Sequence, residues 1–464
     1  MATNPTLIDT HAHLTFSQFD PDRGSVLERA WEAGLEAIVT VGAGEKFAGN
    51  EAAIGLAESN DRIFATIGIH PHDADAVEEG WMARLEEMAA HPRVVAVGEI
   101  GLDYHYNLSE PSRQRELFSK MIEMAKRVDK PIVIHDRDAH DDVWRIIEEC
   151  GVPARGGVFH CFSGDLAFAE RVISRGFIIS VPGVVTFQNA KMLHEVVAAI
   201  PLEKMVLETD CPFLAPEPHR GKRNEPAFVP LVAAKIAQIK GLALEDVTRV
   251  TTLAARRVFS LPGSELLPSI AYRIRNSLYL NITNRCNMAC RFCPKFTDYE
   301  VKGYYLRLPH EPSVEQVFQA MGQPEQFDEV VFCGYGEPTL RLEVLKVIAA
   351  RMKARGVKRV RLNTDGLANL VYGRNVLPEL AGLIDAVSVS LNAPDAPGHS
   401  NMCPSKYGEA AYAAVCEFIR EAKKNIPEVV ATVVAFPGLD IEACRKRADE
   451  LGVPLRVREY MNVG

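Results

Sequence analysis

Hydrophobic and polar positions along this chain form two successive blocks, in which short β-branched runs alternate with longer amphipathic segments. In the first block, eight short apolar runs between Leu7 and Asp210 have the length and composition of buried parallel strands. They read LIDTHA, EAIVTV, FATIGI, VVAVGEI, PIVIHD, GVFHCF, FIISV and KMVLETD. The intervening segments, such as GSVLERAWEAGL, have helical spacing. Eight strands alternating with helices predict a (β/α)8 TIM barrel, which two further helical segments would complete near Ser260.

The second block follows a segment that breaks the pattern. Residues 261–276, LPGSELLPSIAYRIRN, contain two prolines and are interpreted as a linker. Six further strand patterns follow, SLYLNIT, EVVFCGYG, KRVRLNTDG, AVSVSLNA, VVATVVAF and LRVREY. Six βα units are too few to close an eight-stranded barrel, so the sequence predicts an open, partial (β/α)6 barrel. The expected domains are therefore 1–260 and 277–464, joined by the linker.

Composition and charge narrow the class of protein. A length of 464 residues suits two or three domains, and a composition of 47% hydrophobic and 24% charged residues is ordinary for globular proteins. The net charge of −9 argues against a broad nucleic-acid footprint, although not against a local basic loop. There is no apolar run of about 18 residues, and the N-terminal stretch lacks the features of a secretory signal. Together with ten irregularly scattered cysteines, these features favour a cytoplasmic protein with reduced thiols and no membrane association.

Polar residues follow the predicted strands of the first block at their carboxyl ends. Because these ends converge on one face of a barrel, the side chains should meet there. Four histidines and two carboxylates form a donor set that suits Zn, Mn or Mg ions. Six donors are more than one ion usually needs, and they suit two ions bridged by a carboxylate. Enzymes use such two-ion sites for displacement reactions at phosphorus. The candidate ligands are His11, His13, Glu99, His135, His160 and Asp210, with Glu99 as the bridge.

Neighbouring polar residues leave alternatives open. Any single histidine of this kind could be a satisfied core residue, and only the combined set indicates a metal site. His70 and His72 end the third strand, where either substrate contact or packing around Pro71 is reasonable. The loop after the eighth strand offers either phosphate contacts or a solvated basic surface through His219, Arg220, Lys222 and Arg223.

Seven segments carry a family resemblance across residues 7–260. DTHAHL, IGIHPH, VGEIGLDYH, PIVIHDRDA, FHCFSG, ETDCPFLAP and RGKRNEPAFV resemble the TatD family of metal-dependent deoxyribonucleases. The resemblance implies a TIM barrel that hydrolyses phosphodiester bonds in DNA or nucleotides. It also implies one metal on His11, His13, Glu99 and Asp210, a second on Glu99, His135 and His160, and catalytic roles for Asp210, as general base, and Glu99. The alternative is an amidohydrolase or deaminase that acts on C–N bonds.

A cysteine motif opens the second block. Cys286, Cys290 and Cys293 are spaced C-x3-C-x2-C on the loop after the first strand. Three thiolates can hold three irons of a [4Fe–4S] cluster and leave the fourth iron open. A structural zinc site normally has four protein ligands, and the next cysteine, Cys333, lies forty residues further on. A zinc site and a redox dithiol remain as alternatives.

The same motif carries a second resemblance, over residues 277–464. C-x3-C-x-F-C followed by GYGEP is similar to the radical S-adenosylmethionine (SAM) superfamily, although Tyr335 replaces an expected glycine. The resemblance implies SAM on the open iron, an electron donor such as flavodoxin or ferredoxin, and radical chemistry on an unknown substrate. The implied SAM-binding residues are Phe292, Gly334, Gly336, Glu337, Asn363, Asp365, Ser390 and Asn392.

The polar members of that set have ordinary structural alternatives. Asn, Asp and Ser at strand ends also cap helices and form turns, for which Asp365-Gly366 is well suited. Cys403 is a candidate substrate-side thiol. The whole chain resembles TatD-associated radical SAM proteins, which implies a bifunctional enzyme. The alternative for the second block is a non-catalytic iron–sulfur sensor module.

Overall fold

The chain divides into two compact units, Met1–Glu265 and Leu266–Gly464. The computed structural model describes residues 6–44, 46–265 and 267–460, and each unit is described by itself. The division falls within the segment 261–276 for which the sequence predicts a linker.

The first unit contains eight parallel strands in the order β1 to β8, which confirms the predicted barrel architecture. The strands are β1 Leu7–Ala12, β2 Leu35–Val41, β3 Ile63–Ile67, β4 Val94–Asp103, β5 Ile132–Arg137, β6 Gly157–Phe159, β7 Ile178–Val181 and β8 Met205–Leu207. The helices are α1 Arg23–Glu32, α2 Lys46–Ser59, α3 Trp81–Ala89, α4 Pro111–Arg127, α5 His140–Cys150, α6 Leu166–Ser174, α7 Lys191–Ala199, α8 Val229–Lys240 and α9 Leu244–Val258.

Burial follows directly from the sequence pattern. In α4 the buried apolar residues recur at helical spacing, and they include Leu117, Phe118, Met121 and Ile122. This face packs against β4, all ten residues of which are buried. The apolar stripes of the helices and the continuous apolar runs of the strands thus form one core around the barrel.

Hydrogen bonds between β1 and the segment after β8 join the two ends of the barrel sheet. The amide of Asp210 donates to the carbonyl of His11 at 2.9 Å, and the amide of His13 donates to the carbonyl of Cys211 at 2.8 Å. Thr10 Oγ1 also donates to the carbonyl of Leu207 at 2.9 Å. These bonds fix the first and last ligand candidates next to each other.

The second unit contains a seven-stranded sheet in the order β17-β16-β15-β14-β13-β10-β9, and a small separate hairpin, β11–β12. The strands are β9 Ala271–Ile274, β10 Ser277–Leu280, β11 Glu300–Val301, β12 Tyr304–Tyr305, β13 Glu329–Phe332, β14 Val360–Thr364, β15 Ala386–Ser390, β16 Glu428–Ala435 and β17 Leu455–Glu459. The helices are α10 Val314–Met321, α11 Leu342–Ala354, α12 Ala368–Tyr372, α13 Leu377–Leu380, α14 Ala396–Met402, α15 Ala410–Asn425 and α16 Ile441–Leu451. This architecture confirms the predicted partial barrel.

Strand β9 lies within the segment 261–276, for which the sequence predicts a linker. Ala271–Ile274 pairs antiparallel with β10 through a two-residue turn at Arg275 and Asn276, where Arg275 has a φ of 54°. All other neighbours in this sheet are parallel. The sheet therefore has one antiparallel edge strand beyond the six that the pattern predicts.

Among the described helices, no single one is both long and apolar enough to cross a membrane. One pair bent by 114°, Pro226–Lys240 with Leu244–Val258, meets the length and composition criteria together.

Candidate functional site

Two β-bulges shape the mouth of the barrel in the first unit. The register of β1 against β2 shifts between Asp9 and Ala12, around His11, and that of β4 against β5 shifts between Gly98 and Ile100, at Glu99. Bulges bend a strand locally and redirect its side chains, and they are common beside active sites. His11 and Glu99 are therefore positioned by irregular strand pairing.

Glycine permits the close approach of β4 and β5 beside Glu99. Gly101 has a φ of 144°, and a Cβ atom there would lie 2.0 Å from the carbonyl oxygen of His135. No other residue fits this conformation and this space without displacing the backbone. Gly101 therefore holds His135 next to Glu99.

The two carboxylate oxygens of Glu99 face different sets of histidines. Oε2 lies 3.4 Å from His11 Nε2 and 3.7 Å from His13 Nε2. Oε1 lies 2.6 Å from His135 Nδ1 and 3.6 Å from His160 Nε2. The carboxylate therefore separates two donor groups, the geometry of a group that bridges two ions.

Asp210 lies on the far side of the histidines. Its Oδ1 is 3.4 Å from His13 Nε2 and 3.9 Å from both His11 Nε2 and His160 Nε2. The structure thus brings all six ligand candidates together at one end of the barrel, where all except His135, which is partly exposed, are buried.

Unpaired nitrogen atoms show that this donor set fits metal ions. Within the described residues, His11 Nδ1 and Nε2 and His13 Nδ1 are buried without a hydrogen-bond partner. Leaving such atoms unpaired is costly unless something else binds them. Burial, followed by the nearby His160, lowers the pKa of His11, which keeps it in the neutral form that ligates metals. Two of the groups able to hold an ion are His11–His13–Glu99 and His11–His160–Asp210.

Two carboxylates behind the histidines complete the site, and neither was predicted from the sequence. Asp103 Oδ2 lies 3.1 Å from His135 Nε2, and Glu208 Oε2 lies 2.9 Å from His160 Nδ1. Such partners fix the tautomer and orientation of a metal-bound histidine. The signal is present in GLDYH and LETD, where Asp103 is the last residue of β4 and Glu208 directly follows β8.

These carboxylates also shift histidine pKa values in the metal-free protein. Burial opposes protonation of His135, but the charge of Glu99 and hydrogen bonds to Asp103 and Glu99 outweigh it and raise the pKa to about 9. For His160, burial is likewise outweighed, by Glu208 and Glu99, and the pKa rises to about 10. The site therefore carries a strong negative potential that favours cations.

Asp9 is a third buried carboxylate, directly below the ligands. It accepts hydrogen bonds from the Thr209 amide at 2.9 Å and from Thr209 Oγ1 at 2.5 Å, and burial raises its pKa to about 8. Because Thr209 precedes Asp210, these bonds hold the Asp210 loop in place.

His70, His72 and the basic loop after β8 lie outside the set of six ligand candidates. His70 is buried, with Nε2 3.6 Å from Glu99 Oε1, and burial lowers its pKa to about 4. His72 Nε2 lies 2.8 Å from Asp103 Oδ2. In the loop, Arg223 forms an ion pair with Asp22 at 2.7 Å, which ties the loop to the residue that precedes α1.

Two other residues of the loop, His219 and Arg220, lie against aromatic rings. His219 stacks on Phe228 with ring centroids 4.0 Å apart, and the Arg220 guanidinium lies 4.4 Å from the Phe187 ring centroid. Lys222 is exposed. Lys222 is therefore the loop cation that packs on no described ring.

Exposed aromatic rings flank the histidine cluster. Phe213 is 47% exposed, although its ring lies 6.1 Å from the rings of both His13 and Phe16. Tyr106 is 55% exposed and lies 5.8 Å from the ring of His72. The mouth of the barrel thus offers two flat apolar surfaces beside the ligand cluster.

In the second unit, the three motif cysteines lie on the loop after β10. All three are free thiols; Cys286 is exposed, and Cys290 and Cys293 are partly buried. Cys286 also lines a cleft of about 450 Å³. Sulfur ligands of one tetrahedral zinc lie roughly 4 Å apart, given Zn–S bonds of about 2.3 Å. No group of three or more described donors within 4.8 Å of one another contains these thiols, so their spacing fits a multi-iron cluster better than one zinc ion.

The GYGEP segment is anchored to the residues that lead into the cysteine loop. A Cβ atom on Gly336 would lie 2.1 Å from the Thr283 carbonyl oxygen, and one on Gly334 would lie 2.3 Å from Asn281 Oδ1. The amide of Glu337 donates to the carbonyl of Arg285 at 2.7 Å. Both glycines therefore have a packing role here.

The Glu337 side chain is occupied inside the protein. Its carboxylate accepts bonds from the amide and hydroxyl of Thr339, from the Thr364 hydroxyl and from the Asp365 amide, at 2.6–2.9 Å. Through these bonds Glu337 ties the segment after β13 to the end of β14.

Other predicted SAM contacts are also engaged internally. Asn363 Oδ1 accepts from Arg361 at 3.0 Å, and Asp365 Oδ1 accepts from the Leu367 amide at 2.9 Å in a turn. Asn392 Nδ2 donates to Cys403 Sγ at 3.4 Å. The turn alternative for Asp365 thus matches the structure, and Cys403, predicted as a substrate-side thiol, is buried.

Two predicted contacts keep accessible surface. Phe292 is partly buried, with its ring 6.3 Å from that of Phe436, and Ser390 is partly buried at the end of β15. Phe292 thus lies within the cysteine loop itself, between Cys290 and Cys293, and Ser390 lies at a strand end.

Comparisons with known proteins match each unit separately. A family model described as TatD related DNase matches residues 8–260, and one for the Radical SAM superfamily matches residues 280–451. The uncharacterized metal-dependent hydrolase YabD of Bacillus subtilis is 45% identical over 255 residues, which cover 55% of this chain and 99% of that protein. The 3'-5' ssDNA/RNA exonuclease TatD of Erwinia tasmaniensis is 32% identical, over 55% of this chain and 100% of that protein.

A solved structure agrees for the first unit. The TatD homolog YJJV of Escherichia coli is 31% identical and has a TM-score of 0.52, covering 55% of this chain and 98% of that structure.

Proposed function

We propose that this chain, which belongs to the TatD related DNase family and carries a radical SAM superfamily domain, is an enzyme with two separate activities. Its barrel hydrolyses phosphodiester bonds of single-stranded DNA. Its second unit cleaves SAM reductively on a [4Fe–4S] cluster and uses the resulting radical on a substrate still to be identified.

The position of Glu99 carries the proposal for the barrel. Its two oxygens face two histidine groups, and His11 Nε2, which lies beside it, is buried without a hydrogen-bond partner among the described residues. His11, His13, Glu99 and Asp210 would hold one ion, and Glu99, His135 and His160 the other. The nitrogen-rich donor set favours Zn or Mn over Mg. Two such ions supply Lewis acid activation of phosphate and water.

The residues of the chain have distinct tasks in this hydrolysis. Asp210, which lies 3.4 Å from His13, accepts the proton of the attacking water. Asp103 and Glu208 keep His135 and His160 in a fixed orientation. His70, buried and neutral beside Glu99, can donate a hydrogen bond to a phosphate oxygen.

Exposed aromatic rings support single-stranded nucleic acid as the substrate. Phe213 and Tyr106 present flat faces near the cluster, and unpaired bases stack on such faces without sequence preference. The activity in the name of the Erwinia relative is of the same class.

A nuclease assay with a 5'-labelled single-stranded oligonucleotide tests the barrel activity. We expect Mn²⁺-loaded protein to shorten the oligonucleotide from its 3' end, and Glu99→Gln to lose this activity. Intact DNA together with release of ammonia from a nucleobase would instead establish the alternative C–N hydrolase.

For the second unit, the three-cysteine loop carries the proposal. Cys286, Cys290 and Cys293 supply three ligands, and the described residues offer no further thiol or histidine within the loop. When bound, the cluster supplies one electron from a donor such as flavodoxin or ferredoxin. The chain positions this loop through the GYGEP segment.

Anaerobic reconstitution with iron and sulfide, followed by dithionite and SAM, tests this unit. We expect 5'-deoxyadenosine from the wild type and none from Cys290→Ala. A reconstituted cluster that neither binds nor cleaves SAM would favour the sensor module.

A further inference from the structure

Cys403 lies directly across from Cys290 in a short antiparallel pairing. Backbone bonds on both sides of the pair set this register: Ala289 N donates to Pro404 O at 2.8 Å, Arg291 N donates to Met402 O at 3.0 Å, and Met288 bridges Ser405. In each pairing the residue numbers add to the same total, so Cys290 faces Cys403.

The pairing places the two cysteines at a non-hydrogen-bonded position. The hydrogen-bonded positions are Ala289 with Pro404 and Arg291 with Met402. At the alternate positions of an antiparallel ladder the Cα atoms lie closest, about 4.5 Å apart, and the side chains meet. The Cys290 and Cys403 thiols are therefore neighbours by backbone geometry alone.

A buried hydrogen bond from Asn392 orients the Cys403 thiol. Asn392 and Cys403 are 4% and 1% exposed, and Asn392 Nδ2 donates to Cys403 Sγ at 3.4 Å. Asn392 has a φ of 56°, a conformation in which asparagine is among the tolerated residues, and this directs its amide toward Cys403.

We propose that Cys403 is a positioning residue of the cluster site, which donates an S–H hydrogen bond to the Cys290 sulfur and is itself oriented by Asn392. A donor to a ligand sulfur stabilises the reduced, more negative cluster and raises its reduction potential. Cys403 thereby makes the cluster easier to reduce before SAM is cleaved. This inference rests on the proposed [4Fe–4S] cluster, and the experiments separate the two.

The main test is an EPR-monitored redox titration of the reconstituted full chain without SAM. Cys403→Ala removes the donor, and we expect the ratio of reduced to oxidised cluster at a fixed potential to fall about tenfold, a shift of about 59 mV. Cys403→Ser keeps a donor and should stay near the wild type. Cys444→Ala, which alters another buried cysteine of the same unit, is the matched control.

Two results would overturn the inference while leaving the cluster in place. One is a Cys403→Ala cluster that titrates at the wild-type potential. The other is a Mössbauer spectrum of the wild type without SAM in which all four irons carry thiolate, since this would make Cys403 a ligand. A wild type that assembles no cluster would contradict the proposed function instead.

The pairing of Cys290 with Cys403 can also be tested on protein without a cluster, so this test does not depend on cluster assembly in any variant. One molecule of hydrogen peroxide takes a hydrogen from each thiol, forming one S–S bond and two waters. Peptide mapping should find Cys290 joined to Cys403, since facing Cα atoms at this spacing suit a disulfide. Cys290 joined only to Cys286 or Cys293 would overturn the proposed pairing.

Discussion

Replacing Glu208 by glutamine tests whether the orientation of His160 controls metal binding. Glu208 is fully buried and accepts two hydrogen bonds, from His160 Nδ1 at 2.9 Å and from the Cys161 amide at 2.7 Å. Glutamine has the same shape but only one accepting oxygen.

Both orientations of the new amide carry a cost. If its oxygen accepts from Cys161, its NH2 faces His160 Nδ1 and drives the proton to Nε2, the nitrogen that faces Glu99. That nitrogen then has no lone pair for a metal. If the oxygen accepts from His160, the buried Cys161 amide loses its partner, at about 1–3 kcal/mol.

The expected loss is about 10- to 100-fold in metal affinity, the range for partners of metal-bound histidines. This corresponds to about 1.4–2.7 kcal/mol. Titration with Mn²⁺ or Zn²⁺ against a competing chelator measures it, and only one of the two ions should be weakened. Glu36→Gln serves as the control. Glu36 lies near the start of β2, and its carboxylate binds Arg256 instead of a histidine. Unchanged affinity for both ions in Glu208→Gln would refute this reasoning.

Three further changes probe the two units. Phe213→Ala should weaken single-stranded DNA binding by about 1–3 kcal/mol, the value of one stacked base, and leave hydrolysis of a base-free phosphodiester unchanged; equal losses on both substrates would contradict stacking. Gly336→Ala places a Cβ 2.1 Å from the Thr283 carbonyl, so iron bound after reconstitution should fall well below four per chain, whereas full iron content would show that the loop relaxes. Protein freed of divalent metal by a chelator and then given its cluster should form 5'-deoxyadenosine without cutting DNA, and added Mn²⁺ should restore cutting; cutting by the metal-free protein would exclude the proposed site.

The barrel and its ligand candidates could be predicted from the sequence because both follow from local patterns of residues. Strand ends converge in a barrel, so residues such as His11 and Asp210 could be brought together without coordinates. The bulge at Glu99 could not be read from the pattern, because it depends on how β4 and β5 pair. Glu208 was missed because an acidic residue near a strand end is common, and only its 2.9 Å contact with His160 identifies its role.

In the second unit, the cysteine motif could be predicted from the sequence, but the residues that contact it could not. Strand β9 could not be predicted, because the turn at Arg275 that joins it to β10 lacks the glycine that usually signals a hairpin. Glu337 and Asn392 were assigned to SAM from their positions in the motifs. Their hydrogen bonds to Thr364 and Cys403 join residues that are distant in sequence, and no local pattern encodes them.

The decisive measurement is a single anaerobic reaction in which nucleotide release from single-stranded DNA and 5'-deoxyadenosine formation from SAM are quantified together. The two-site proposal predicts both products from the wild type. Glu99→Gln should lose only nucleotide release, and Cys290→Ala should lose only 5'-deoxyadenosine. A fully metallated wild type that yields only one of the products, or neither, would contradict the proposal.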